Sequence, residues 1–225
     1  MNAEANRPYR LYGGPGSGAT PVHAALTLIG APVEAIDVAP WESEAERNKL
    51  LPVNAMRQVP VLELPSGELM TESAAILIWL GDRHPEAGLA PSVDDPRRTQ
   101  YLRWMSFIPA AIYSMFWVRD EPSRLAADAR AEAVIKERTA ERIAECWRIM
   151  DAQMPRGTPY LLGAHIGMLD LYVTVVSRWT PRRVRFYREA PRMAEVVRRV
   201  DADPRLADFW AARFPFDEHW ESQGP

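Results

Sequence analysis

Residues 54–80 read NAMRQVPVLELPSGELMTESAAILIWL. The stretch 60–64 is a compact apolar run with strand character. Pro65, Ser66 and Gly67 make a tight turn, and 68–70 pairs back as a hairpin partner. A helix then runs over about 72–82. Two local features stand out within this unit. Val59-Pro60 places proline at the entry to a strand, where it cannot donate a ladder hydrogen bond. Thr71-Glu72-Ser73 places an acid and two hydroxyls at the start of a helix.

Each feature has two readings. A cis bond at the strand start would turn the Val59 backbone N–H and C=O outward, free to pair with an extended peptide. Taken alone, an ordinary trans edge proline is the commoner case, because cis is only ~5–6 % of X–Pro bonds. A helix start carries unpaired N–H groups that attract carboxylates. Ser73 could add a donor to a carboxylate, and Glu72 could hold an ammonium group. Together these describe the α-amino acid end of a ligand. Plain N-capping by Thr71 or Ser73 is the alternative.

Working outward, 9–12 reads as a short strand and Gly13 to Gly18 as a loop. A helix spans 20–29, with Val22, Ala25, Leu26 and Ile29 on one face. A second strand covers 33–38, and 41–51 is charged and helix-like. The first third is therefore a β-α-β unit joined to a late hairpin and helix, an α/β pattern with a mixed sheet. Pro85, Pro91 and Pro96 mark a linker. Beyond it strand signals nearly vanish. Helices are expected over 97–119 (bent at Pro109), 123–154, 168–179, 191–201 and 204–213. The domain bounds expected are 7–84, a linker at 85–95, and an all-helical domain at 96–216.

The Gly13 to Gly18 loop lacks the lysine and spacing of a phosphate loop. Tyr12, Ser17 and Thr20 place hydroxyls near a helix N-terminus, a setting that stabilises a thiolate. Ser17 as a turn or capping residue is the competing reading. In GAHIGMLD, 163–170, Gly167 reads as an N-cap with Asp170 reaching back to its N–H, and the structural reading is preferred.

Bulk composition excludes several classes. The 225 residues carry a net charge of −3 with no basic block, so nucleic acid is not an expected partner. One cysteine, Cys146, allows no internal disulfide and suits a reducing cytoplasm; mid-helix, it reads as a small core residue. No signal peptide or membrane span is expected. His23, His84, His165 and His219 show no metal-ligand spacing, and no metal is expected.

Taken in order, these features resemble the cytosolic glutathione transferase superfamily over roughly 9–214, most specifically over 54–80. The loop segment YGGPGSGATPVHAAL, 12–26, is similar to that of bacterial, beta-like members. The resemblance implies a thioredoxin-like N-terminal domain plus an all-α C-terminal domain. It implies glutathione as co-substrate and a small hydrophobic electrophile as acceptor, with a detoxification role. Val59 with cis Pro60 would pair with the cysteinyl backbone, and Glu72 and Ser73 would hold the γ-glutamyl end. Ser17, or Tyr12 in the first strand, would activate the thiol. Ser106 and Tyr113 match positions that reach a neighbouring subunit's glutathione, so a homodimer is implied. Where beta members carry a loop cysteine this chain has Gly18, and Gly167 stands for the usual Ser/Thr cap. The open alternatives are a non-catalytic ligand- or protein-binding member, and a glutathione-dependent reductase, etherase or isomerase.

Overall fold

The computed structural model describes residues 7–216, so His219 lies outside them. Strand β1 (Tyr9–Tyr12) lies at the centre of the first half. It alternates buried Tyr9 and Leu11 with half-exposed Arg10 and Tyr12, the period of a strand with one covered face. Helix α1 (Thr20–Ile29) follows and stops at Gly30, whose φ of 75° suits glycine. β2 (Val33–Ile36) pairs parallel to β1. β3 (Val61–Glu63) pairs antiparallel to β1, and β4 (Leu69–Thr71) pairs antiparallel to β3 across the Pro65-Ser66-Gly67 turn. The sheet order is β2-β1-β3-β4. α3 (Ser73–Arg83) closes the unit. This is the expected mixed sheet of a thioredoxin-like domain.

Two expected elements are shorter. β2 ends at Ile36 instead of 38. The helix expected over 41–51 shrinks to α2 (Glu44–Asn48), capped where the Ser43 hydroxyl accepts from Glu46 N–H at 3.1 Å. No residue of α2 is buried; its cap and the Arg57 guanidinium, which donates to Glu44 and Asn48, hold it in place.

The helical half begins with α4 (Arg98–Phe107). The bend expected at Pro109 is instead a π-helical segment over Ile108–Tyr113, continuing into α5 (Ser114–Arg119). Proline lacks the N–H an α-turn would use there, and the wider turn absorbs the loss. α6 (Ala129–Gln153) starts later than expected because Asp128 caps it, accepting from Ala131 N–H at 2.8 Å. α7 (Met168–Val176) is buried at all nine positions. α8 (Arg182–Glu189) was not expected; α9 (Pro191–Asp201) and α10 (Ala207–Arg213) complete the half.

α7 is the pillar of the molecule. It packs against α1 and α3 of the sheet half and against α4 and α9 of its own half. Val22, Leu26, Ile76, Leu80, Leu171 and Val175 are fully buried in one continuous core. At its far end, buried Arg178 and Arg183 share Asp201 at 2.8 and 2.9 Å. Arg178 also donates to the Phe214 carbonyl, tying the chain's last described turn to the core.

Candidate glutathione site

The site assembles where β3 begins, α3 begins and the glycine loop turns into α1. The Val59–Pro60 bond is cis. Among the described residues, the Val59 backbone N–H and C=O take part in no hydrogen bond. They form a short free edge just ahead of the β3 ladder, the geometry that accepts an added strand.

Beside that edge, α3 starts without a cap. Glu72 sits at φ 69°, ψ 104°, a conformation a non-glycine residue holds only when its surroundings impose it. No side chain caps this end. The first N–H bonded within the helix is that of Ile76, to the Glu72 carbonyl at 2.9 Å. Capping by Thr71 or Ser73 is therefore not what these residues do. The Ser73 hydroxyl lies 3.1 Å from the Tyr172 hydroxyl of α7, in a buried contact.

The glycine loop forms the third side. Ser17 is nearly buried, and its Oγ accepts from Ala19 N–H at 3.2 Å, a local turn bond. The helical half holds this loop in place. Trp179 Nε1 donates to the Gly16 carbonyl at 2.8 Å, and Arg213, paired with Asp37, reaches the Gly13 carbonyl at 3.4 Å. The Phe214 ring covers Gly16.

Gly18 faces the centre. A side-chain carbon placed on it would lie 3.3 Å from Pro60 Cδ, 3.3 Å from Tyr113 Oη and 3.6 Å from the Val59 carbonyl. So the position at which the resemblance puts a cysteine does face the free Val59 edge. The space it would use is already bounded by a phenol. Tyr113 Oη is buried and makes no hydrogen bond of good geometry among the described residues, although Ser73 and Tyr172 are close enough to act on it electrostatically. Burial pushes both phenols well above their usual range, with the Glu72 carboxylate adding to the effect. Both stay protonated and act as hydroxyls.

Two expectations need correcting. Tyr12 does not join the site. Its hydroxyl donates to Glu63 at 3.3 Å on the half-exposed face of β1, beside Arg10. Strand alternation sends it away from the covered face. Tyr113, expected to reach a neighbouring subunit's glutathione, has its hydroxyl buried within its own chain. The π-segment and the packing against Tyr172 (ring centroids 5.8 Å) and Trp179 (5.0 Å) turn it into its own chain's site. Ser106 is exposed on α4, away from this cluster. Of the aromatic residues on the fourth helix, Tyr113 and Phe116 join Trp179 in one cluster, while Trp104 belongs to the core. Cys146 is buried in the core with its thiol toward the Ala111 carbonyl.

Gly167 and Asp170 lie where the capping reading put them. Asp170 accepts from Gly167 N–H at 2.7 Å and from Leu161 N–H at 2.9 Å. Its burial pushes the carboxyl up to about 7 against the pull of those donors. Among the described residues, no group of three or more His, Cys, Asp or Glu could hold a metal ion. No helix there is long and apolar enough to cross a membrane.

A β-α-β unit, a cis-proline hairpin and helix, and an all-helical half define a thioredoxin-like domain in the glutathione transferase fold. Comparison with known proteins agrees. The family model for the N-terminal domain of glutathione S-transferases matches residues 18–83. An Escherichia coli K12 protein described as an uncharacterized GST-like protein, YncG, is 31 % identical over 200 residues, covering 88 % of this chain and 95 % of that one. A glutathione transferase homologue from Sulfitobacter, solved with bound glutathione, superposes with a TM-score of 0.79 at 23 % identity, covering 91 % and 97 % of the two chains. A sphingomonad glutathione S-transferase complexed with glutathione gives 0.72 at 27 %, covering 91 % and 98 %. The chain belongs to the glutathione transferase superfamily, among its bacterial members.

Proposed function

We propose that this protein binds glutathione and activates its thiol for attack on a small hydrophobic electrophile. The observation that carries the reading is the convergence of three unfilled features on one spot: the free Val59 edge, the uncapped α3 start at Glu72 and Ser73, and the bare Gly18. An extended tripeptide fits this set. Its cysteinyl backbone pairs with Val59, and its γ-glutamyl carboxylate meets the α3 N–H groups and Ser73 while Glu72 takes the ammonium. Solved relatives with glutathione bound support the ligand.

The thiol then lies toward the loop. A free cysteine thiol has a pKa of about 8.5, so little is ionised at neutral pH. Ser17 accepts the Ala19 N–H and keeps its own proton, which it donates to the thiolate; the start of α1 adds favourable potential. Thr20, buried at the first position of α1, is the next hydroxyl to test. The thiolate forms a C–S bond with an electrophile held against Tyr113, Phe116 and Trp179; the acceptor's leaving group departs with the electron pair of the broken bond or, at an activated double bond, the displaced π electrons take up a proton from water. The setting is a cytoplasmic homodimer, with Ser106 exposed for contact with a second copy.

A binding-only protein is the second reading, favoured by the turn bond that engages Ser17. Disulfide exchange is disfavoured by Gly18. Titration calorimetry with glutathione, followed by a chromogenic conjugation assay, separates these. Binding with turnover that falls in Ser17→Ala supports the transferase. Binding without turnover on any acceptor leaves the binder, and no binding at millimolar glutathione overturns both.

A further inference from the structure

Glutathione recognition at α3, if the reading above holds, depends on a residue from the other half of the molecule. We infer that Tyr172 of α7 is a positioning residue that sets the direction of the Ser73 hydroxyl for the γ-glutamyl carboxylate.

The two oxygens are 3.1 Å apart, across 99 residues of chain. Tyr172 is fully buried, and this is the one hydrogen bond of good geometry its hydroxyl makes among the described residues. Either oxygen could donate, and the surroundings decide which does. If Ser73 donated, the phenol proton would be left with only Tyr113 Oη to turn to, and Tyr172 makes no hydrogen bond of good geometry with it. A buried donor without a well-formed bond is unfavourable. If Tyr172 donates, its proton is satisfied and Ser73 becomes the acceptor. The Ser73 proton is then left over, at the first residue of a helix whose opening N–H groups are also unbound. A carboxylate arriving there meets the backbone N–H groups and a hydroxyl already oriented to donate. Without Tyr172 the Ser73 hydroxyl is free to rotate, and ordering it would weaken binding.

This ties affinity for one end of the ligand to the packing of α7 against α3. The Tyr113 ring packs tilted against Tyr172 with centroids 5.8 Å apart.

The test compares glutathione with an analogue lacking only the γ-glutamyl α-carboxylate, by calorimetry on the full chain. Tyr172→Phe keeps the ring and removes the donor. It should bind glutathione about tenfold more weakly, leave analogue binding unchanged, and so narrow the ratio between the two ligands about tenfold. Ser73→Ala should narrow it at least as much, and the double variant no further. Equal loss on both ligands would mark Tyr172 as a packing residue and overturn the inference, as would an unchanged ratio. Should Tyr172→Phe fail to fold, 3-fluorotyrosine at 172 provides a fluorine NMR signal. A shift with glutathione but not with the analogue supports the inference, and no shift overturns it. Wild-type protein that binds neither ligand overturns the glutathione reading and this inference together; wild-type binding with an insensitive Tyr172 overturns the inference alone.

Discussion

α3 and α7 begin with stretches that both look like caps, Thr71-Glu72-Ser73 and Gly167 to Asp170, and the structure treats them in opposite ways. At α7 the protein closes the end itself. Asp170 takes two backbone N–H groups, and Met168 N–H bonds the Leu89 carbonyl of the linker at 2.7 Å. At α3 no side chain caps, the hydroxyl nearest the end is engaged by a distant helix, and Glu72 holds an unfavourable φ. A helix start satisfied from within is scaffold. One left open and strained is what the proposed glutathione site requires, because the strain persists only where the surrounding fold imposes it.

The contrast breaks first if Asp170 is dispensable. Asp170→Ala leaves the buried Leu161 N–H and the part-buried Gly167 N–H without an acceptor and should lower unfolding free energy by about 2–4 kcal/mol, read by denaturant titration. Glutathione affinity of the folded fraction should not change. Next, Glu72→Gly should separate stability from function at the other end. Glycine relieves the positive φ and should stabilise by about 1 kcal/mol, while glutathione binding weakens by about 2 kcal/mol, roughly thirtyfold. A loss of both would mean that α3 starts as scaffold too.

Titration sharpens the same comparison. The Asp170 carboxyl is raised by burial from 3.8 to about 7, so the folded state holds its proton longer than the unfolded chain. Its contribution to stability is therefore full at low pH and is lost as pH rises from about 4 to 7, by at most ~1.4 kcal/mol per pH unit. His23 works the other way. Burial, reinforced by Arg213, lowers it from 6.5 to about 4, so the unfolded chain protonates first and stability is lost as pH falls through that window. The two slopes oppose each other in the wild type. In Asp170→Asn the His23 slope is no longer opposed by Asp170, so stability should rise more, or fall less, between pH 4 and 6.5 than in the wild type. The smallest effect concerns the loop. Gly18→Cys should destabilise by about 1 kcal/mol through its contact with Tyr113 Oη, and Tyr113→Phe should relieve most of that.

Most of the fold was legible in the sequence because its cues are local. The PSG turn, the 3.6-residue apolar period of α1, the nearly unbroken apolar run of α7, and the Val-Pro strand entry each act within a few residues. α8 was missed because RRVRFYRE carries four arginines and shows little apolar face; only Arg183 and Phe186 are buried. Arg183 is there because Asp201, 18 residues on, neutralises it. The site was half legible. Val59, Pro60, Glu72 and Ser73 announce themselves by residue type and order. Tyr172 and Trp179 read only as apolar helix positions, because their partners Ser73 and Gly16 lie 99 and 163 residues away. No local pattern encodes such a meeting. Tyr113 entered only through the resemblance, as a position that reaches a neighbouring subunit, and no local pattern shows that the wide turn it closes faces it inward.

That wide turn over Ile108–Tyr113 gives the fourth helix a spare residue. Elsewhere in a helix, losing one residue swings everything beyond it by about 100°. Here a deletion can be absorbed by closing the turn to ordinary α spacing, leaving Tyr101 and Trp104 before it, and Phe116 after it, on their present sides. The Tyr113, Phe116 and Trp179 cluster is thus mounted on a stretch of chain whose length can change by one residue without disturbing the free edge at Val59.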